Sequence, residues 1–576
     1  MKINQYIPAI DWISDYGSTQ LKGDLTAGLT VGIMLIPQGM AYAMIAGLPP
    51  IYGLYASTLP LIIYALLGTS RQLAVGPVAM VSLLTATGIG AMAEADSESY
   101  ISLAIALALI VGLIQFLLGA FRLGFLVSFL SHPVISGFTS AAALIIGVSQ
   151  LKHLLGIKLS GGHRVHEIII EAIQQINQIH LPTFLLGIGG IVLIVVLKMI
   201  NRRIPGLLIA VFLAILVVWV FNLAETGVSI VGSVPQGLPS LQWPGLEMST
   251  VGALMPTALA IALVSFMESY AVAKAIQSKH KDYKIDANQE LVALGLANIG
   301  GATFQSYPVT GGFSRTAVND EAGAKTGMAS LVSALLIILT LLFLTPLFHF
   351  LPNAILASVI MVAVFSLIDV KEIKHLWRTN RYDLAMLIVT FVATLILGIE
   401  QGIALGVILS LAIIIWKTTR PHVAELGQVP GTEFYRNIKR FKQVKAKRDL
   451  LIIRFDAQLY FANIGYFRDQ LEEMISTKGD ELKAIIINAE SINSIDSTAM
   501  HALEGIVKEL RGRSIEIYMS GVIGPVRDAL VKTNLLDLIG EKNFFMSVHD
   551  AVEYHESPTS QGSTHKDITL QSNVQE

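Results

Sequence analysis

The chain has 576 residues, of which 53% are hydrophobic and only 14% charged, with a formal net charge of −2. A mean hydropathy of +0.63 is far too high for a soluble protein, so a polytopic α-helical membrane protein follows, and the near-neutral balance offers no basic face to nucleic acid. With no cysteine, disulfides, thiolate metal ligands and cysteine nucleophiles are excluded together.

Residues 1–24 carry no basic, apolar, cleavable signal, so they read as a cytoplasmic segment and the first apolar run stays as a span. Runs follow near 25–46, 50–67, 73–87, 101–120, 132–152, 181–200, 204–222, 250–275, 286–303, 313–322, 326–347, 351–368, 382–399 and 401–417, fourteen in all. Two of them, 73–87 and 313–322, are too short to cross a bilayer about 30 Å thick at about 1.5 Å per residue. Each starts at a Gly/Pro break and reads as a half-helix. Lys22, Arg71, Arg122, Arg202, Arg203, Lys279, Lys281, Lys284, Lys371, Arg378 and Arg420 fall in alternate loops, with Lys152, Lys158 and Arg164 as the basic exceptions on the opposite side, which makes the first side cytoplasmic and, with an even span number, puts both termini on the cytoplasmic side of the cell membrane. The half-helices are third in each set of seven spans, the pattern of an inverted-repeat transporter whose broken helices aim their N-termini at an anionic substrate.

Before the tenth run, Tyr307-Pro308-Val309-Thr310-Gly311-Gly312-Phe313-Ser314-Arg315 places an arginine at a helix start inside apolar sequence. Pro308 and the paired glycines cannot continue a helix, so Ser314 to Val318 starts a new one with free N–H groups facing the break. A helix N-terminus carries about half a positive charge and Arg315 a full one with five donors, which together describe an anion site. In lipid that charge costs at least about 2.5–3.5 kcal/mol, so it needs a cavity or a partner; the plain alternative is an arginine snorkelling to the interface.

Glu268 lies in the eighth run with no other charge within a helical turn. A buried carboxylate must pair, protonate or bind a cation, so Glu268 is the candidate coupling group: a proton that neutralises it frees the positive field of Arg315 for the substrate. A structural Glu268–Arg315 ion pair is the alternative. Gly187, Gly189 and Gly190 read as a helix-packing face, because no Gly-Lys-Ser/Thr follows to hold a phosphate. His132, His153, His163 and His166 lack metal-ligand spacing, and no serine sits in a nucleophile motif. An enzyme, a metal and a cofactor therefore have no support.

From about Thr432 charged residues return, and short apolar runs such as Asp449–Phe455 and Ala484–Ile487 alternate with amphipathic stretches. A soluble α/β domain over 432–556 fits, after a linker at 421–431. The tail 557–576, rich in Ser, Thr, Gln and Asn, reads as disordered.

The chain also carries Pro37-Gln38-Gly39-Met40-Ala41-Tyr42-Ala43, Gly47-Leu48-Pro49-Pro50-Ile51-Tyr52-Gly53-Leu54-Tyr55-Ala56-Ser57, Gly68-Thr69-Ser70-Arg71 and Gly76-Pro77-Val78-Ala79. Pro308 through Asn319, Ala322-Gly323-Ala324-Lys325-Thr326 and Gly402-Ile403-Ala404-Leu405-Gly406-Val407 complete the set. With them the chain to about residue 555 resembles the sulfate permease (SulP) family of anion transporters, ending in a cytoplasmic STAS domain. The resemblance implies two inverted seven-span repeats, elevator-like movement of a core against a gate, and a homodimer. It implies an anion held between spans three and ten, with span one closing the pocket. That maps to Gln38 and Tyr42, placed at a Pro-Gln-Gly break in span one, to Val78 and Ala79, and to Phe313, Ser314 and Arg315. Gln38 can donate an amide hydrogen bond to an oxyanion and Tyr42 can offer a hydroxyl or ring edge. It also implies that acidic residues of span eight, here Glu268, couple transport to protons or sodium.

Ile495-Asp496-Ser497-Thr498-Ala499-Met500 resembles the phosphorylated loop of anti-sigma-factor antagonists, which marks Ser497 as a regulatory candidate; a plain helix N-cap at Asp496 or Ser497 is the alternative. The loop departs from the Ser-Ser-Gly-Leu of soluble relatives. The reading is a secondary active transporter of a small oxyanion, sulfate with proton symport being what the resemblance favours. Sodium-coupled bicarbonate or dicarboxylate uptake, an uncoupled anion channel and a signalling receptor are the alternatives.

Overall fold

The computed structural model describes residues 7–125, 131–159, 165–200, 205–245, 247–280, 282–365 and 367–557. His163, Arg202, Arg203, Lys281 and the tail beyond residue 557 lie outside them. The chain divides into two compact units, Met1–Ser410 and Leu411–Glu576.

The first unit is helical, and eight helices among the described residues are long and apolar enough to cross a membrane. Its labelled elements are α1 (Ser18–Ile45), α2 (Leu59–Leu67), β1 (Val75–Gly76), α3 (Ala79–Ile89), α4 (Glu98–Ala120), α5 (Met248–Gln277), α6 (Ala287–Thr303), β2 (Thr310–Gly311), α7 (Phe313–Glu321) and α8 (Met328–Leu339). Helices also occupy the remaining apolar runs, among them His132–Ser149, Leu181–Ile200, Gly206–Val220, Asn353–Phe365, Arg381–Leu397 and Ile399–Thr419. The short third and tenth runs are the short helices α3 and α7, each preceded by a two-residue strand.

Close helix contact in this unit depends on glycine. A Cβ on Gly112 of α4 would lie 2.7 Å from the Gly295 carbonyl of α6, and one on Gly295 would lie 2.8 Å from the Gly112 carbonyl. The two backbones touch because neither carries a side chain there. Gly187 and Gly190 pack in the same sense, the Ser358 hydroxyl donating to the Gly187 carbonyl at 2.7 Å, whereas Gly189 faces open space.

Pro37-Gln38-Gly39 does not break its helix: α1 continues through Pro37, which removes only one bond of the i to i−4 ladder. Gly39 and Gly53 instead let the helix Ile51–Tyr55 come close, since a Cβ on Gly53 would collide with the Gly39 carbonyl and one on Gly39 would stand 3.0 Å from the Gly53 carbonyl. A second element escaped the apolar-run reading because it is amphipathic. Helix α9 (Val370–Thr379) starts at an Asp369 cap, buries Leu376 against Leu384 and Leu387, and leaves Trp377 exposed.

In the second unit a six-stranded sheet has the order β4 (Tyr435–Asn437), β3 (Val423–Gln428), β5 (Leu450–Phe455), β6 (Ala484–Asn488), β7 (Glu516–Ser520), β8 (Phe544–Phe545). Strands β5 to β8 run parallel, and β3 is antiparallel to both its neighbours. Alternation sends Leu451, Ile453 and Phe455 to one core with α10 (Ile464–Lys478) and α11 (Ser497–Gly512), and Leu450 and Ile452 to another with α12 (Val548–Glu556). The stretch 421–431 is therefore not a linker. It contributes β3, whose alternating Ala424 and Leu426 are buried; six residues that include Glu425, Gly427 and Gln428 are too short a pattern to stand out before the partner strands are known.

Candidate functional site

The two half-helices begin side by side because the strands before them pair. Val75 lies opposite Gly311 and Gly76 opposite Thr310 in an antiparallel ladder, and the Gly312 N–H extends it to the Ala74 carbonyl at 3.0 Å. Thr316 closes the corner, its hydroxyl accepting from the Ala74 N–H at 3.0 Å. Val78 is the N-cap of α3 and Gly312 that of α7, and neither side chain caps its helix. Elsewhere in the chain Asp286, Asp369, Asn380 and Asp496 do cap their helices. Two uncapped N-termini in one place leave N–H groups and partial positive charge without a local acceptor.

Arg315, one turn into α7, is only 1% exposed. Its Nη1 donates to the Pro77 carbonyl at 2.7 Å and reaches the Gln38 Oε1 at a long 3.4 Å, while Nε and Nη2 are buried without a partner. Gln38 in turn donates from Nε2 to the Tyr42 hydroxyl at 2.9 Å. Gly312 makes room: a Cβ there would stand 2.8 Å from both Cζ and Nη2 of Arg315. A buried guanidinium with unused donors is expensive unless something negative completes it.

The structure thus brings Gln38, Tyr42, Val78, Ala79 and Arg315 together as buried groups. Phe313 and Ser314 differ. They form the first turn of α7 but are exposed, Phe313 by 60%. Glu268 is half-buried on α5 and feels the Arg315 charge, yet no ion pair joins the two among the described residues. The structural salt bridge weighed for this pair is absent. Ser497 is exposed in the first turn of α11, and Asp496 is the N-cap, its Oδ1 accepting from the Ala499 N–H at 2.8 Å.

Several supporting residues were not singled out in the sequence. Asn298 of α6 pairs with the chain as a strand would, accepting from the Val309 N–H at 2.8 Å and donating to the Val309 carbonyl at 3.2 Å. Its Nδ2 also contacts the Gln115 Oε1 of α4 at 3.1 Å, and Gln115 donates to the Ser265 hydroxyl at 2.8 Å. Ser269, next to Glu268, accepts from the Gly311 N–H at 2.7 Å and shares a 2.6 Å hydroxyl bond with Thr310. Tyr307 meets Ser82 of α3 at 3.1 Å. Gln115 and Asn298 are amides inside apolar helices, the signal that could have marked them.

The sulfate permease family matches residues 21–390 and the STAS domain residues 441–551. The chain belongs to the sulfate permease family. It is 40% identical over 569 residues to the chloroplastic sulfate transporter 4.1 of Arabidopsis thaliana, with 96% of this chain and 82% of the relative covered. A probable sulfate transporter of Mycobacterium tuberculosis is 37% identical over 548 residues, covering 95% and 98%. Among solved structures, the murine solute carrier 26 family member A9 anion transporter in the inward-facing state superposes with a TM-score of 0.89 at 26% identity, over 96% of this chain and 94% of that one. This member of the family is accordingly a multi-pass membrane protein and an anion transporter with a C-terminal STAS domain.

Proposed function

We propose that the protein carries sulfate across the cell membrane in symport with protons, by elevator-like movement of a core that contains α3 and α7. The fourteen apolar runs then form two inverted seven-span repeats in a homodimer, with both termini and the STAS domain in the cytoplasm. The substrate choice draws on the sulfate transporters among the relatives. The observation that carries the site is Arg315, wholly buried beside two uncapped helix N-termini with Nε and Nη2 unpartnered. A tetrahedral oxyanion supplies the acceptors this centre lacks: its oxygens take the free guanidinium N–H groups and the helix-end N–H groups, and its charge offsets the buried cation. Gln38 and Tyr42 border the guanidinium on the α1 side.

Glu268 supplies the coupling in this reading. Ionised and unpaired, it competes with the anion for the field of Arg315; protonated, it leaves that field to the substrate. Substrate and proton then favour each other's binding by linkage. The test is uptake of radiolabelled sulfate and bicarbonate into proteoliposomes under imposed pH or sodium gradients. Wild-type protein should accumulate sulfate when the outside is acidic, and Glu268→Gln should still exchange labelled sulfate while losing gradient-driven accumulation. Accumulation driven by sodium alone, or of bicarbonate in preference to sulfate, would overturn the assignment.

A further inference from the structure

Two loops distinctive in the sequence, Gly68-Thr69-Ser70-Arg71 before β1 and Ala322-Gly323-Ala324-Lys325-Thr326 after α7, donate nothing to the Arg315 centre. Each is gripped by a fully buried carboxylate from another helix. Glu290 of α6 accepts from the N–H groups of Thr69 (2.7 Å) and Ser70 (3.2 Å) and from the hydroxyls of Thr69 (2.6 Å) and Tyr64 (2.7 Å). Asp24 of α1 repeats the device, accepting from the N–H groups of Lys325 (2.6 Å) and Thr326 (3.0 Å) and the hydroxyls of Thr326 (2.6 Å) and Tyr16 (3.2 Å). The loops are also joined to one another, through Gln72 Nε2 to the Ala324 carbonyl at 3.2 Å and Asn319 Nδ2 to the Gln72 carbonyl at 2.8 Å. Burying a carboxylate is a poor way to add stability, since apolar packing does as well without the desolvation cost. Using the same four-bond grip twice fixes loop geometry instead.

What the fixed loops enclose is a cavity of about 320 Å³, lined by Arg71 and Gln72 from one, Lys325 and Thr326 from the other, and His280 and Asp282 beyond α5. The acids nearby are partly committed. Asp320 holds Lys279 at 3.2 Å and His280 at 2.5 Å. The Arg71 guanidinium lies over the Tyr283 ring and 2.8 Å from Asp282, whose side chain is 61% exposed. Lys325 makes no ion pair among the described residues and its side chain is exposed. The cavity therefore offers one free cation and a second whose carboxylate partner can swing into water at little cost.

We propose that this cavity is a second anion site, in which a small hydrated oxyanion sits between Lys325 and Arg71 and takes the place of the Asp282 carboxylate on the guanidinium. The space exceeds that of one tetrahedral oxyanion, so the ion keeps hydration water and binds weakly. Its role is to concentrate anion on the side of the basic loops. The proposal rests on the transport reading only in taking sulfate as the anion.

The direct test is binding without transport, which keeps its failure separate from that of the sulfate symport. Detergent-solubilised Arg315→Ala protein is melted with increasing sodium sulfate, with sodium chloride holding ionic strength constant, and compared with Arg315→Ala carrying Arg71→Gln and Lys325→Gln as well. A saturable sulfate-dependent rise in Tm should persist with Arg315→Ala and vanish in the triple variant. No rise with Arg315→Ala, or an equal rise in both, would sink the proposal. In proteoliposomes Arg71→Gln with Lys325→Gln should raise half-saturating sulfate on the side of these loops by about three- to tenfold, as loss of two partly exposed charge contacts allows, and leave the opposite side unchanged. Equal change on both sides would overturn it.

Discussion

Glu290 and Arg315 are both fully buried charges in the helical unit, and the protein treats them in opposite ways. Glu290 accepts four hydrogen bonds and Asp24 does the same, so neither has an oxygen left to offer. Arg315 makes one short bond to Pro77 and leaves Nε and Nη2 unused, next to helix ends that no side chain caps. A buried charge with all its partners inside the chain is scaffold. One whose partners are missing is, in the proposed reading, completed by the transported anion, and the difference is invisible in burial alone.

The sharpest test of that contrast is Arg315→Ala. It should weaken sulfate binding by about 3 kcal/mol or more, roughly a hundredfold in Kd, because at least two charge-assisted donors are lost, while the melting temperature stays near wild type. Near-normal affinity in equilibrium dialysis would break the comparison at its functional end. Glu290→Ala should do the reverse. Two backbone N–H groups and two hydroxyls lose their acceptor, at a cost of about 1–3 kcal/mol for each that stays buried and unsatisfied, so expression and thermal stability in detergent should fall. Folded protein that remains should bind sulfate within about threefold of wild type; loss of affinity at full stability would make Glu290 part of the site.

Asn298→Ala tests the boundary between the two classes. It strips Val309 of both backbone partners, so half-saturating sulfate should rise by about fivefold, equivalent to roughly 1 kcal/mol of lost positioning, with maximal rate changed less. A fall in rate at constant half-saturation would instead place Asn298 in the moving machinery. Ser497→Glu should have the smallest effect. A negative charge in the first turn of α11 is worth about 0.3–1 kcal/mol to that helix, so turnover can shift modestly while the preference among competing anions stays fixed. Altered anion preference would mean that the STAS domain helps to shape the pocket.

Much of the site was readable in the chain because its parts are local. The Gly/Pro breaks, the short third and tenth runs and an arginine within apolar sequence each announce themselves within a few residues, and Val78, Ala79 and Arg315 lie where those breaks put them. Errors arose where a local cue has two uses. Pro37 and Gly39 read as a break but serve a continuous helix and a close backbone contact. Phe313 follows the same glycines as Arg315, and the structure exposes the one and buries the other because residues two apart on a helix point about 200° apart.

Sequence by itself determined the class of molecule, the half-helices, the family motifs and the charge of Arg315 at the start of the second half-helix, because hydrophobic length, backbone-breaking residues and intramembrane charge act over a turn or two. Only tertiary structure decided that Glu290 and Asp24 grip loops more than two hundred positions away in the chain, that Val423–Gln428 is a strand, and that Arg315 keeps two donors free beside an unpaired Glu268. Whether a buried polar atom is satisfied depends on which distant groups arrive within hydrogen-bond reach, and no spacing along the chain encodes that arrival.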